Sequence, residues 1–371
     1  MAFTPDVPQL PENTAYSWPV PRELVHKTAH TEVLLTGWRQ SGEREFEVGA
    51  QWPRDHGFWR TDDGGVQDPM LLVETTRQAL PLFAHAAFGV PAGHQLIWDH
   101  QHCVFSVPFL AVSGSPAEVT LRLSASRPPE HGARKRQIAL TMSVHCGERT
   151  LGTVSTVYSA HSPAVYRRLR GPGTPAPPEA MAAALVPPRP LAPALVGRES
   201  EREVVLAAAD DGDGDGDGTA VAGRAGRVVN GRGGEGSWPR RQLRVLTSSP
   251  WLFDHPVDHA PGMLLMEAAR QVSHLAAAPH RPRLTRMDAD FHRYVDLDEP
   301  GWVDVSPGPV APAAGAPQPS GERTVTVEIT QHGEKAFSAV VGFVTEETPD
   351  AAGPAGRKGD TAPAAVPPGL G

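Results

Sequence analysis

The 371-residue sequence has only two cysteines, no long apolar run and no surplus of basic charge. Each absence removes a class of protein. Cys103 and Cys146 alone cannot build a disulfide framework or a CxxC zinc site. One bridge between them stays open, but both fall in strand-like runs, where buried free thiols are favoured. No stretch approaches the ~18 apolar residues that span a bilayer. Residues 1–21 lack the basic start and apolar core of a secretion signal, so a soluble, cytoplasmic protein is expected. The net charge of −8 leaves nothing to neutralise a phosphate backbone, which argues against nucleic acid as a partner. The basic residues are nearly all Arg, the better fork for carboxylate or phosphate.

Proline (39) and glycine (37) are abundant, yet concentrated in a few stretches, so they read as linkers. Residues 1–22 are Pro-rich and extended. Residues 171–195 are Pro/Ala-rich, residues 207–236 Asp/Gly/Arg-rich, and the tail after Thr348 is low in complexity. The run DDGDGDGDG (210–218) suggests calcium, but Val221 stands where a calcium loop needs its twelfth-position Glu, so a flexible loop is expected. Between these stretches, 25–38 reads as a turn leading into a strand, 44–53 as a second strand and 54–69 as a polar loop. MLLVETTRQALPLFAHAAFG (70–89) reads as a helix about five turns long, kinked or divided by Pro81. Strands follow at 94–107 and 117–126, then a hairpin around Gly147 over 137–160.

The chain repeats itself. MLLVETTRQ (70–78) returns as MLLMEAARQ (263–271) with Met, Leu, Leu, Glu, Arg and Gln in place. VHKTAHTEVLL (25–35) matches VGRESEREVVL (196–206) in its Val, basic, Glu, Val and Leu positions. AQWPRDH and SSPWLFDH precede the two helices, and 286–306 and 323–344 supply the later strands of the second copy. Each half runs strand, strand, long helix, then three or four strands. The stretch 207–236 becomes an insertion in the second half. An α+β protein follows, either two independent domains or, better, two halves sharing one antiparallel sheet with both helices on its concave face, since a short sheet needs its fresh edge covered.

FDHPVDHAPGMLLMEAARQ (253–271) resembles the His-x-Pro … Pro-Gly-x-Leu-x-x-Glu-Ala-x-x-Gln signature of hot-dog acyl-carrier-protein dehydratases. With AQWPRDHGFW, DPMLLVETTRQA, FGVPAGHQ and DHPVDHAPGM, the layout most resembles the A-factor synthase family of two fused hot-dog units. The resemblance covers about residues 22–345, apart from the insertion. It implies a tandem double hot-dog fold. The parts would be an extended segment (1–21), repeat 1 (22–165), a Pro/Ala-rich linker (166–195), repeat 2 (196–346) with a disordered insertion (207–236), and a disordered tail (347–371). It also implies an acyltransferase of γ-butyrolactone autoregulator biosynthesis. A β-ketoacyl group would pass from acyl carrier protein to dihydroxyacetone phosphate, with no metal and no other cofactor. The halves form a pseudo-dimer within one chain, compatible with further self-association. A dehydratase or thioesterase on acyl-carrier thioesters, and a non-catalytic lactone-sensing regulator, are the rival readings.

Such chemistry needs an apolar tunnel, an oxyanion site, a base and a phosphate grip. Leu71, Leu72, Val73, Leu264, Leu265 and Met266 are candidates for the tunnel or for plain core. Pro261-Gly262 opens the second helix, so the amides of Gly262 and Met263 are candidate oxyanion donors. In the first half Asp68-Pro69 stands there, and Asp68 would cap its helix and repel an oxyanion. By resemblance, the catalytic pairs are His56 with Glu267 and His255 with Glu74. A carboxylate against apolar surface would have a raised pKa and exchange protons near neutrality. The alternative is an ion pair at i,i+3, Glu74–Arg77 and Glu267–Arg270. Arg77, Arg270, Arg54 and His259 are candidates for the substrate phosphate. Spacing departs from single-unit dehydratases, since twelve residues separate His255 from Glu267 and eighteen separate His56 from Glu74, so the Glu positions are better fixed than the His positions. If Glu267 is catalytic, Glu267→Ala destroys turnover and leaves the fold intact.

Overall fold

The computed structural model describes residues 18–61, 65–125, 136–208, 238–309 and 319–346. Most of the expected N-terminal segment, the insertion from 209 onward and the tail lie outside the described residues. The first half supplies β1 (Leu35–Gln40), β2 (Glu45–Trp52), α1 (Met70–Leu82), β3 (Gln95–Phe105), β4 (Ala117–Ala125), β5 (Arg136–Cys146) and β6 (Arg149–His161). Two short helices, α2 (Pro163–Arg170) and α3 (Pro177–Ala182), occupy the stretch read as a linker. The second half supplies β7 (Arg241–Gln242), α4 (Gly262–Ala277), β8 (Arg281–Phe291), β9 (Trp302–Pro307), β10 (Arg323–Gln331) and β11 (Glu334–Glu346).

All eleven strands form one antiparallel sheet in the order β1-β2-β4-β5-β6-β3-β8-β11-β10-β9-β7. The halves meet where β3 pairs β8, His100 opposite Asp290 and Val104 opposite Arg286. Outward from this seam, β6, β5, β4 and β2 on one side answer β11, β10, β9 and β7 on the other. Joining there turns two would-be edges into a central ladder, which answers the exposed-edge problem of a short sheet. The opening strands of the second half are reduced to the two-residue β7 and to single bridges at Leu206–Leu243 and Pro190–Ala207. Helix α1 packs on β1, β2 and β6, and α4 on β8, β10 and β11, around one continuous apolar core.

The helices are apolar nearly all round because they are enclosed, with only Arg77 of α1 not buried. Pro81 divides the first as expected. Having no N–H to give, it is followed by a π-helical turn over Phe83–Ala87 that runs to Gly89 (φ 61°). The Leu80 carbonyl there accepts from the buried Tyr158 hydroxyl (3.0 Å). Cys103 is buried and Cys146 half-buried, both free, and burial pushes the Cys103 thiol up to about 12.

The repeated Glu and Gln do the same structural work twice. Gln78 accepts from Leu34 N–H (2.9 Å) and donates to the Glu32 carbonyl (2.7 Å) and to Glu74 Oε1 (2.9 Å). Gln271 accepts from Val205 N–H (3.0 Å) and donates to the Glu203 carbonyl (2.8 Å) and to Glu267 Oε1 (2.7 Å). Each Gln thereby ties its helix to the strand entry of its own half and satisfies backbone groups that would otherwise be orphaned. The matched basic residues complete the unit, Lys27 on Glu74 (3.0 Å) and Arg198 on Glu267 (2.7 Å).

Before these cations the chain turns through a left-handed residue, His26 (φ 52°) in one half and Gly197 (φ 64°) in the other. A Cβ on Gly197 would lie 2.2 Å from His274 Cε1 and 2.4 Å from its Nδ1. Gly197→Ala therefore combines left-handed strain with overpacking and is expected to destabilise the protein by about 2–4 kcal/mol, read as a lowered midpoint in urea unfolding.

Candidate active site

One large cavity, of about 660 Å³, opens between the halves, within the size range of small-molecule sites. The first half brings His26, Lys27, Glu74, Arg77 and Trp98 to it. The second brings Trp251, Asp254, His255, His259, Gly262 and Met263. Apolar wall comes from Leu80, Ile97, Trp98, Met263, Leu265 and Phe291. Of the residues proposed for a tunnel, only Leu265 faces this space. Leu71, Leu72, Val73, Leu264 and Met266 are fully buried core.

A bond across the halves sets the geometry. Asp254, in the loop before α4, accepts from the backbone N–H groups of Thr28 and Ala29, just past Lys27. Desolvation raises the Asp254 pKa, but these two amides, His255 and the Lys27 charge outweigh it and hold the carboxylate below its usual range. Its Oδ2 lies 3.3 Å from His255 Nδ1. The His255 side chain is 41% exposed and lines the cavity. The motif DHPVDH thus encodes two Asp–His pairs in tandem, for Asp258 Oδ1 lies 2.6 Å from His259 Nδ1. Tyr166 (2.8 Å) and Arg170 (3.2 Å) also donate to Asp258.

Glu74 corrects one expectation. Burial pushes its pKa up, but the charges of Arg77 and Lys27 and the hydrogen bonds from Arg77 and Gln78 outweigh burial and hold it well below the carboxylate range. It is an anion at neutral pH rather than a group exchanging protons there. Arg77 grips it with two donors, at 2.9 and 2.8 Å. The intrahelical ion pair therefore forms, and it forms in the second helix as well, Arg270 to Glu267 at 3.5 Å.

His26 also faces the cavity, and sequence reasoning passed over it. His85 donates Nδ1–H to the Val90 carbonyl (2.9 Å), and its Nε2 lies 2.9 Å from His26 Nε2. Desolvation, then the charges of His85, Arg77 and His255, push His26 down to about 3, so the ring is neutral. Its local cue is the match of His26 to Gly197, a glycine position filled by a side chain.

At the far wall α4 begins with Gly262. The first intrahelical bonds are donated by Leu264 and Leu265 to the Pro261 carbonyl, so the Gly262 and Met263 amides have no intrahelical acceptor. Trp98 and Phe291 stack at 4.9 Å beside this turn, and a Cβ on Gly262 would meet them at 3.0 and 3.1 Å. A larger residue would need the two rings to give by a few tenths of an ångström.

The pseudo-equivalent site is closed. Counting from Met70 and Met263, Asp68 stands where the second half has Pro261. Asp68 accepts from Met70 N–H (2.9 Å) and pairs with Arg270 (2.9 Å), so it caps α1 and occupies the arginine opposite. Arg198 is spent on Glu267 and on the Phe58 carbonyl, with its guanidinium 4.2 Å over the Phe58 ring. His56 and Glu267 do not pair. His56 Nδ1 accepts from Phe58 and Trp59 N–H (3.1 and 3.2 Å), and its Nε2 lies 3.5 Å from Glu32. Among the residues expected at a site, His56, Glu267, Arg270 and Arg54 lie outside the cavity lining, while His255, Glu74, Arg77, His259, Gly262 and Met263 share it. His255 and Glu74 meet the same space but bond to Asp254 and to Lys27 and Arg77, not to each other. Among the described residues no His, Cys, Asp and Glu group is arranged to hold a metal ion, and no helix is long and apolar enough to cross a membrane.

The family model described as AfsA, A-factor biosynthesis hotdog domain, matches residues 9–162 and 237–341. The chain belongs to this family. The gap between the matched segments holds α2, α3 and the stretch read as an insertion. A Streptomyces virginiae protein named 2-oxo-3-(phosphooxy)propyl 3-oxoalkanoate synthase is 39% identical over 326 residues, 87% of this chain and 97% of the relative. Proteins of that name from Streptomyces griseus subsp. griseus and Streptomyces coelicolor are 32% identical over 339 residues and 33% over 315. They cover 90% and 85% of this chain, and 95% and 87% of their own lengths.

The burial of Glu267 reverses the expectation that Glu267→Ala leaves the fold intact. The change strands Arg198 in the core, and a loss of about 3–5 kcal/mol is expected in denaturant unfolding. An unchanged unfolding midpoint would show that the ion pair is dispensable.

Proposed function

We propose that this chain is an acyltransferase that moves a β-ketoacyl group from acyl carrier protein onto the hydroxyl of dihydroxyacetone phosphate, the ester-forming step toward a γ-butyrolactone autoregulator. The observation that carries the reading is the difference between the two pseudo-equivalent sites. In the closed one, two cations, Arg198 and Arg270, directly contact two carboxylates, Glu267 and Asp68. In the open one, Lys27 and Arg77 directly contact Glu74 alone. Asp254, the other carboxylate there, acts on Lys27 and Arg77 only through space, so no carboxylate grips Arg77 as Asp68 grips Arg270, and a phosphorylated acceptor would supply that anion. The relatives' name describes such a product, an ester of a 3-oxoalkanoate with a phosphooxy-bearing oxopropyl group.

The roles follow from position. Arg77, with Lys27 behind it, takes the phosphate. Glu74 holds both cations in place and stays ionised. The apolar wall around Trp98 and Phe291 takes the acyl chain. The acceptor hydroxyl attacks the thioester carbonyl carbon, and its proton passes to a ring nitrogen of His255, which Asp254 orients. The carbonyl oxygen, now an oxyanion, lies at the Gly262 and Met263 amides. The C–S bond then breaks, and the thiolate recovers the proton from His255. One C–O bond forms for each C–S bond lost, and ester and free thiol leave.

Purified protein given a β-ketoacyl thioester is expected to release thiol only when dihydroxyacetone phosphate is present. Release at the same rate without acceptor would make it a thioesterase, and a trans-enoyl product a dehydratase. Arg77→Lys keeps the charge and loses the fork. It is expected to raise the acceptor KM by about tenfold, with a smaller change in kcat. An unchanged KM would remove Arg77 from the phosphate site.

A further inference from the structure

The cavity has a rim that neither the fold nor the acyl-transfer chemistry uses. Helix α2 leaves the end of β6, capped by Ser162, and its residues Leu169 and Arg170 line the cavity. Its inner side is fixed. Tyr166 and Arg170 bond Asp258, Arg170 also bonds Asp296 (2.7 Å), and the Arg170 guanidinium lies 4.5 Å over the Tyr294 ring. Its outer side is unused. Arg167 and Arg168 are exposed, and among the described residues neither has an ion-pair partner. Leu169 between them and the cavity is 54% exposed.

The segment after α2 extends this surface. Leu185 donates its N–H to the Leu297 carbonyl, next to the Asp296 that Arg170 holds. Leu185 and its neighbour Val186 are exposed as well. Of the five large apolar side chains exposed among the described residues, three, Leu169, Leu185 and Val186, lie on this one stretch. Exposed apolar groups beside unpaired arginines mark a contact surface for a negatively charged protein partner.

We infer that the outer face of α2, Arg167 and Arg168 with Leu169 beside them, is where an acidic carrier protein docks to deliver its thioester into the cavity. The charge balance of the chain favours that occupant. A protein of net charge −8 repels an acidic partner over most of its surface, so productive approach needs a local positive landing site at the cavity mouth. The rigid inner side suits the role, because Tyr166 and Arg170 anchor α2 to the DHPVDH loop that leads into α4. A partner seated on α2 is therefore in register with the open helix end.

This inference takes its donor from the acyl-transfer reading, and the test separates the two. Binding of acyl carrier protein is measured by fluorescence anisotropy for the wild type and for the Arg167→Glu/Arg168→Glu double variant, at low and at physiological salt. The same β-ketoacyl group is then offered on the carrier and on a small thiol, N-acetylcysteamine. The variant is expected to bind the carrier at least about tenfold more weakly, with the wild type losing affinity as salt rises. Turnover of the small thioester is expected to be equal in both, since neither arginine lines the cavity. Equal carrier binding by the two proteins, or no binding by the wild type, overturns the docking site whatever the turnover. Carrier binding that depends on the arginines, with no acyl transfer from either donor, keeps the docking site and overturns the acyl-transfer reading.

Discussion

Each long helix buries one glutamate, and much of the surrounding structure exists to satisfy it. The Gln one turn later donates to it, a basic residue reaches in from the preceding turn, and an arginine three residues on closes the pair. Those bonds also hold the strand entry of each half against its helix. A buried charge without partners would cost several kcal/mol, so the unit behaves as all or nothing. The repeated Glu, Arg and Gln are thus first a folding device. On the proposed reading, chemistry is laid over it at one of its two copies.

What separates the copies is small. Asp68 supplies a carboxylate to the arginine across the interface, and Pro261 does not. The helix with Asp68 before it has its leading amide capped, and the helix with Gly262 at its start keeps its amides open. Gly197 leaves room for His274, whereas His26 fills the equivalent turn and faces the cavity with a neutral ring. Together these differences concentrate imidazoles, an open helix end and a cation pair on one side of the pseudo-twofold axis.

Much of this was legible in the sequence. The MLLxExxRQ repeat and the paired flanking segments foretold two halves on one sheet, and Pro81 dividing the first helix was readable from its missing N–H. The contrast of Asp68-Pro69 with Pro261-Gly262 set the two helix starts apart, one capped by Asp68 and one not. Side-chain pairing was not legible. The His56–Glu267 pair came from analogy with dimeric enzymes, and it fails because the Phe58 and Trp59 amides and Glu32 are nearer partners for His56. The charge state of Glu74 was misjudged because Lys27 lies 47 residues upstream, and only the fold shows that it reaches the helix. Asp254 was not singled out in its motif, yet its oxygens join the halves.

Fusion of the halves makes the Asp68–Arg270 bond tolerable. In a dimer of identical subunits every substitution appears at both sites, so an aspartate that plugs one would plug the other. A single chain carrying two copies breaks that constraint, and each copy can change alone. One interface could become a permanently filled, rigid joint while its twin stayed open. Asp68 then serves as a resident ligand, bound to the site for as long as the protein stays folded.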